Sequence, residues 1–378
     1  MHLCSVTRSK VVTGLCLTKP TGKWNKEKVL LCVNDHDEGT HVGYVLTPIR
    51  LKQTICGEII KGIKLMKVDA NRCNVEHGEC LAHESKQTFW VMTRESVAIK
   101  INRRHSMQLL HNISSTVTNP ENPWKEVAAL QLIGNTHPNV IHLLGAFVDD
   151  ECLYEVMPYC SGGSLKAFMR HHPNGISETQ SRDLFVQIIL GLHHIHAHGV
   201  CHHDISTDNC LLDETCTKLV IIDFGMSLRV PYSYIDDPSG ITDDVTDESM
   251  RTTRRLIHSH AHCGKLAFMA PEIYLKEYAI DGLTADIWSA GIVLFFMITG
   301  RHPYVRPDIE KDTGFYDLVD ESFYWNNDNR TRLISWGCEV SNALVDFMKT
   351  ILRVEPRERA TLYQILKHDW LGVRNVNV

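Results

Sequence analysis

Asp204, Asn209 and Asp223 are the residues of this chain best placed to do chemistry. They lie in V-C-H-H-D-I-S-T-D-N-C-L-L and K-L-V-I-I-D-F-G, between Val200 and Gly225. Each follows or flanks an apolar run of buried-strand length, so two carboxylates and an amide emerge together at one edge of a core. Hard, oxygen-seeking Mg²⁺ is typically held by one or two carboxylates with substrate phosphates, and a further carboxylate can orient a hydroxyl for attack. The spacing implies a metal-and-phosphate constellation rather than a polar turn between core strands.

Several elements must position these groups. Ser177 with Gln180 marks a helix start, and Leu184, Phe185, Ile188, Ile189, Leu192 and Ile195 form its apolar stripe, ending before Gly199. That helix delivers the chain into the loop. Upstream, I-K-L-M-K-V, G-E-C-L-A, F-W-V-M and S-V-A-I-K-I read as antiparallel strands between Gly62 and Ile101. A small hairpin is expected from the apolar runs Val29 to Val33 and Val42 to Leu46. Asn122, Pro123 and Gly134 frame a second helix, with Val127, Leu130 and Ile133 facing inward. His193, His194, His196, His198, His202 and His203 crowd the chemistry-bearing region, but no thiolate pair or carboxylate completes a zinc set at usual spacing.

Composition narrows the class. The 378 residues carry 39 basic and 45 acidic side chains, a net charge of −6, which suggests neither a nucleic-acid nor a membrane-surface binder. The longest apolar run, Ala290 to Thr299, is too short to span a bilayer and reads as a buried helix. Thirteen cysteines without a C-x-x-C pair read as free thiols in a reducing compartment, so a cytoplasmic location is expected, with the nucleus left open.

H-x-D-x-x-x-x-N followed by D-F-G resembles the catalytic loop and metal-binding motif of the eukaryotic-type protein kinases. The other motifs occur in family order over about residues 65 to 372: V-A-I-K ending at Lys100, Glu126 in the helix before H-P-N, C-L-Y-E-V-M-P-Y-C-S-G-G-S-L, then A-P-E, D-I-W-S-A-G and a closing R-A-T. The resemblance implies an α+β fold of two lobes, a small β-rich lobe with helix C and a larger, mainly helical one. It implies a kinase domain over 65–372 (small lobe about 65–157, hinge 158–162, large lobe 163–372), a 1–64 extension without assigned function and a 373–378 tail. It further implies ATP and Mg²⁺ as ligands and a protein as substrate, with no nucleic acid or membrane and no regulatory partner named. By resemblance Lys100 pairs with the α- and β-phosphates and with Glu126; Asn209 and Asp223 hold Mg²⁺; Asp204 orients the acceptor hydroxyl. Met157 stands at the gatekeeper position, Pro158 to Cys160, with Tyr159, at the adenine-facing hinge, and Ser164 near the ribose. Asp286 is expected to hold the catalytic-loop backbone, and Arg359 to pair with Glu272.

The chain also departs from the family. Aligning G-E-C with G-x-V makes Gly78 the third glycine of the phosphate loop and puts Cys73 and Val75 where the first two belong, which weakens or alters ATP clamping. His203 replaces the arginine that grips a phosphorylated activation segment, so phosphate-dependent activation is in doubt. Ser206 replaces the lysine beside the transferring phosphoryl group, and Lys265 in C-G-K-L-A-F-M-A-P-E stands where a threonine is usual. The expectation is that Lys265 supplies the cation absent at Ser206; a solvated loop lysine is the plain alternative. The activation segment, Asp223 to Glu272, offers Thr252, Thr253 and Ser259 as phosphate acceptors and His258 to Cys263 as a metal-binding run. Serine/threonine transfer is expected, since the loop lacks the tyrosine-kinase pattern; the alternative is a pseudokinase that binds ATP or docks partners. Ser164 and Phe296 replace glutamates common in kinases that prefer basic substrates.

Overall fold

A computed structural model describes residues 7–18, 24–32, 43–69, 80–82, 88–113, 122–234, 244–247, 252–257, 263–277, 279–320 and 340–372. Contacts divide the chain into two units. Met1–Ser115 and His142–Tyr159 form the first, Thr116–Ile141 and Cys160–Val378 the second. The chain passes between them three times, after Ser115, after Ile141 and after Tyr159.

The first unit is an eight-stranded sheet with one short helix. Its strands are β1 (Thr7–Thr18), β2 (Trp24–Cys32), β3 (Gly43–Gln53), β4 (Gly57–Asp69), β5 (Cys80–Ala82), β6 (Thr88–Arg103), β7 (Gly145–Val148) and β8 (Cys152–Pro158), with α1 (Arg104–Ile113) after β6. Five of them run antiparallel in the order β3-β4-β6-β8-β7, and β1 curls the sheet by pairing antiparallel with β2 and parallel with β7. Period-two alternation separates two faces. Ile60, Val97, Ile99, Tyr154 and Val156 join Leu30, Tyr44 and Phe147 in an apolar core. The intervening residues Ala98, Lys100, Asn102, Glu155 and Met157 occupy the other face. The expected hairpin is present, with Val29 opposite Val45 and Leu30 opposite Tyr44. The expected domain boundary at 64/65 falls inside β4, which pairs with β6 from Gly57 to Asp69. Residues 43–64 therefore belong to the sheet that carries Lys100, because the edge of β6 needs a partner along its whole length.

The second unit is mainly helical. In chain order it contains α2 (Pro123–Ile133), β9 (Gly163–Ser164), α3 (Leu165–Met169), α4 (Glu178–Ala197), β10 (Val200–Cys201), β11 (Cys210–Leu212), β12 (Leu219–Ile221) and β13 (Leu228–Arg229). There follow β14 (Tyr232–Tyr234), β15 (Asp244–Asp247), β16 (Thr252–Arg255), α5 (Pro271–Tyr274), α6 (Gly282–Thr299), α7 (Thr313–Val319), α8 (Asn342–Ile351) and α9 (Leu362–Lys367). Asn122 caps α2 by accepting from Trp124 N–H, and Gly134 ends it at φ 78°. Within this unit Asn122 N–H donates to Gly225 O, and the His194 ring bonds Ile133 O. Ser177 Oγ accepts from Gln180 N–H at the start of α4, whose stripe of Leu184, Phe185, Ile188, Ile189, Leu192 and Ile195 is buried. Each such side chain contributes about 1.5–3 kcal/mol of burial free energy. Helix α6 is apolar on every side and lies at the centre, as that pattern requires. Asp281 caps it, and Gly300 closes it in the left-handed region at φ 68°. It is the one helix among the described residues long and apolar enough to cross a membrane, and 89% of it is buried in the fold.

Candidate active site

Strands β10, β11 and β12 bring the chemistry-bearing residues together. Asn209 immediately precedes β11, Ile222 follows its partner β12, and Ile222 N–H donates to Asn209 O at 2.9 Å. Asp223, next in the chain, is thereby placed at the same ribbon end as Asn209; its φ of 71° turns the backbone sharply there. Asn209 Nδ2 donates to Asp204 O at 2.8 Å and to Asp204 Oδ2 at 2.6 Å. Asp204 N–H donates to His202 Nδ1 at 3.2 Å, so the ring proton sits on Nε2, which reaches Ile222 O at 3.0 Å. His202 is fully buried against Phe224 and plays the structural part expected of it, tying the loop to the D-F-G turn.

The loop is gripped from below by α6. Asp286 accepts from His202 N–H at 2.7 Å, from His203 N–H at 2.8 Å and from His196 Nε2 at 2.9 Å. Burial pushes the Asp286 carboxyl up, but the His196 bond and the surrounding histidines outweigh it and hold the group below the usual carboxylate range. This grip sustains the positive φ of 62° at His203, a backbone state that costs a non-glycine residue about 1–2 kcal/mol. The His203 ring is buried, and neither nitrogen has a hydrogen-bond partner among the described residues. Burial lowers its pKa, so it is neutral at pH 7 and offers no cation to a phosphate.

Lys265 closes the site. Its Nζ donates to Asp204 Oδ2 at 2.7 Å, an arrangement prepared by Gly264 at φ 88°, where a side chain would press on His203 O. The Lys265 side chain remains 39% exposed. Ser206 is fully buried, and its Oγ has no partner among the described residues. Asp204 Oδ1 and Asn209 Oδ1 are likewise buried without hydrogen bonds among those residues. Two acceptor oxygens, one on a carboxylate and one on an amide, are therefore left for ligands. That donor chemistry suits a hydroxyl and a hard cation.

The segment beyond is anchored without phosphate. Strand β16 lies between β14 and β15, and its Arg254 forms a bidentate ion pair with Asp281, Nε donating to Oδ1 at 3.0 Å and Nη2 to Oδ2 at 2.6 Å. Both side chains are buried. Nothing in the sequence marks this pair, which joins residues 27 positions apart. Thr252 and Thr253 lie on β16; Ser259 and His258 to His262 fall outside the described residues. Among the described residues no group of His, Cys, Asp and Glu could hold a metal ion by itself. Arg359 meets Glu272 as expected, at 2.8 and 3.1 Å, with both side chains essentially inaccessible.

In the first unit, Lys100 is buried on β6, opposite Glu155 of β8, and Met157 is buried opposite Ala98. Lys61 Nζ lies 4.8 Å above the Tyr159 ring. In the second, Glu126 is buried in the first turn of α2, and burial raises the pKa of the half-buried Cys160 thiol. Ser164 Oγ caps α3 by accepting from Ala167 N–H.

The protein kinase domain family matches residues 86–371 of this chain. The chain belongs to the protein kinase family. CBL-interacting protein kinase 25 of Oryza sativa subsp. japonica is 28% identical over 284 residues, covering 74% of this chain and 46% of its own. CBL-interacting serine/threonine-protein kinase 17 of Arabidopsis thaliana is 29% identical over 313 residues, 82% of this chain and 61% of its own. Probable serine/threonine-protein kinase MARK-A of Dictyostelium discoideum is 29% identical over 251 residues, 66% of this chain and 20% of its own. The chain thus spans about half the length of the first two. Its fold is the two-lobed α+β kinase fold, a curled sheet in one unit and a helical second unit.

The sheet register offers a second candidate for the glycine turn. Gly78 lies outside the described residues. The strand that pairs with V-A-I-K is β4, with Gly57 opposite Asn102, Ile59 opposite Lys100 and Lys61 opposite Ala98. The β3–β4 hairpin turns at Thr54 to Cys56, and Gly57-Glu58-Ile59 reads as G-x-aliphatic. At family spacing Lys52 and Thr54 then occupy the first two glycine positions. Gly57 admits no side chain: a Cβ would lie 1.9 Å from Ile101 O. Thr54 N–H donates to Gly57 O and Gly57 N–H to Thr54 Oγ1, so the turn spends part of its hydrogen bonding on itself.

Proposed function

We propose that this chain is an ATP-dependent protein kinase that transfers a phosphoryl group to serine or threonine hydroxyls. The observation that carries the reading is the Asp204 carboxylate, whose Oδ2 is engaged by Asn209 and Lys265 while Oδ1 stays open for an acceptor hydroxyl. With Oδ2 occupied, Oδ1 is the oxygen that orients the hydroxyl and receives its proton. Asn209 Oδ1 and the Asp223 carboxylate are the groups that would hold Mg²⁺. An ion held by them would supply positive charge to the phosphate oxygens. The family resemblance assigns Lys100 to the phosphates, and the β3–β4 turn with Gly57 takes the covering role first given to Gly78. Lys265 supplies, next to Asp204, the positive charge that Ser206 lacks. The serine/threonine names of the relatives support the acceptor type.

The self-bonded turn with Lys52 and Thr54 favours a second reading, a pseudokinase that binds nucleotide without transfer. The deciding experiment is phosphorylation of a mixed serine, threonine and tyrosine peptide library with Mg·ATP, comparing wild type with Asp204→Ala. Transfer lost on substitution supports the kinase. ATP binding without transfer in either protein overturns it in favour of the second reading.

A further inference from the structure

The catalytic loop holds a second carboxylate that the proposed reaction does not use. Asp208 lies four residues after Asp204, and its Oδ2 accepts from Lys166 Nζ at 3.0 Å. The lysine side chain is 48% exposed and the aspartate 27%, so the pair meets solvent beside the site. Backbone bonds hold Lys166 against the loop on both sides of Asp208. Its own N–H donates to Thr207 O at 3.0 Å, and β9, just before it, pairs with β11 through Ser164 and Leu211. An exposed ion pair is ordinarily weak, because two long side chains must be ordered to make it. Here the backbone of the lysine is already fixed next to its partner. The group beside the pair is uncharged. The His302 ring packs against Phe268 and Phe296, at 4.9 and 4.6 Å between centroids. Desolvation, and then the Lys166 charge, lower its pKa, so the imidazole is neutral at pH 7 and leaves Asp208 to Lys166.

We propose that Lys166 determines substrate specificity by occupying Asp208, so that this chain selects acceptors flanked by uncharged residues over acceptors flanked by basic ones. The inference rests on the kinase reading, since it concerns the substrates of that site. A carboxylate next to Asn209 in the chain would otherwise draw an arginine or lysine of a bound peptide, which can offer it a charge-assisted hydrogen bond. With Lys166 in place the local charges cancel, Lys166 against Asp208 and Lys265 against Asp204. A basic side chain arriving there must displace Lys166 and gains nothing by the exchange. An uncharged side chain displaces nothing.

The test uses the full chain and peptides with a single serine, threonine or tyrosine acceptor, in which each flanking position carries arginine, glutamate or alanine in turn. Wild type is expected to phosphorylate arginine peptides no better than alanine peptides at every position. Lys166→Met keeps the aliphatic stem and removes the charge. It should raise kcat/KM for arginine over alanine about fivefold at one or more positions, the upper range for an exposed ion pair. Lys166→Met/Asp208→Asn should lose that gain. An arginine preference already present in wild type, no gain in Lys166→Met, or a gain that survives Asp208→Asn overturns the inference. Should Lys166→Met fold poorly, Lys166→Gln takes its place with the same expectations. If wild type transfers phosphate to no peptide, the kinase reading fails by itself, and fluorescence anisotropy of the labelled arginine and alanine peptides on the same proteins decides instead. Arginine peptides bound about fivefold tighter by Lys166→Met, but not by wild type or the double variant, support the role of Lys166; no difference refutes it.

Discussion

Moving one positive charge from residue 265 to residue 206 probes the catalytic loop where this kinase departs furthest from its family. Lys265 Nζ lies 2.7 Å from Asp204 Oδ2, a charge-assisted contact. Because the lysine side chain is 39% exposed, water screens the pair, and its worth to folding is below about 1 kcal/mol. In the proposed reaction the same charge would face a transferring phosphoryl group, where loss of one preorganised donor typically costs about 10²–10³ in kcat. Solvent screening selects the lower end, about 100-fold or ~2.7 kcal/mol. Lys265→Thr should therefore lower kcat about 100-fold while KM for ATP and the urea midpoint stay near wild type. The double variant Ser206→Lys/Lys265→Thr, with the charge in the family's usual place, should recover most of the lost rate. The assay is peptide phosphorylation at varied ATP, which separates kcat from KM. A Lys265→Thr enzyme at or above the wild-type rate would refute the reasoning, since it would mean that Lys265 restrains Asp204 instead of assisting it.

Other outcomes are equally definite. Glu272→Gln strands the buried Arg359 guanidinium and should cost about 3–5 kcal/mol in chemical unfolding, while replacing both partners with apolar residues should cost less. His137, His193, His194 and His203 have pKa values lowered below 6.5, chiefly by burial. The unfolded chain therefore binds more protons just below that pH, and stability should fall as pH drops from 6.5, measurable as a lower urea midpoint at pH 5.5 than at pH 7.5. Gly57→Ala should destabilise the first unit and weaken ATP binding, because its Cβ meets backbone at 1.9 Å; Gly78→Ala should leave ATP affinity unchanged, and equal effects would remove the case for the β3–β4 turn. Arg254→Ala should lower activity, whereas phosphatase treatment of the wild type should not, since a buried ion pair anchors the segment.

What the sequence shows best is what chemistry constrains. Asp204, Asn209, Asp223, Asp286 and the Glu272–Arg359 pair each perform a task that few residue types can, and their order along the chain is diagnostic. Helix ends were legible for the same reason, since Asn122, Gly134 and Gly300 satisfy local backbone requirements. The glycine turn proposed at Gly57 was not, because Lys52 and Thr54 stand at the other two glycine positions, and only the pairing of β4 with β6 shows which hairpin adjoins the strand of Lys100. Arg254 and Asp281 are joined by tertiary structure alone, in a segment whose composition reads as solvated loop.

The pairing of β4 with β6 also bears on how this chain can be handled as a reagent. The protein kinase domain match begins at residue 86, and a protein truncated there would keep β6 but lose β3 and β4. From Phe89 to Asn102, β6 would then present one bare row of backbone donors and acceptors. Val97 and Ile99, fully buried in the intact chain, would lose the cover of Ile60. An exposed edge of that kind recruits other chains, so such a fragment should precipitate even though Lys100, Asp204, Asn209 and Asp223 are all present in it.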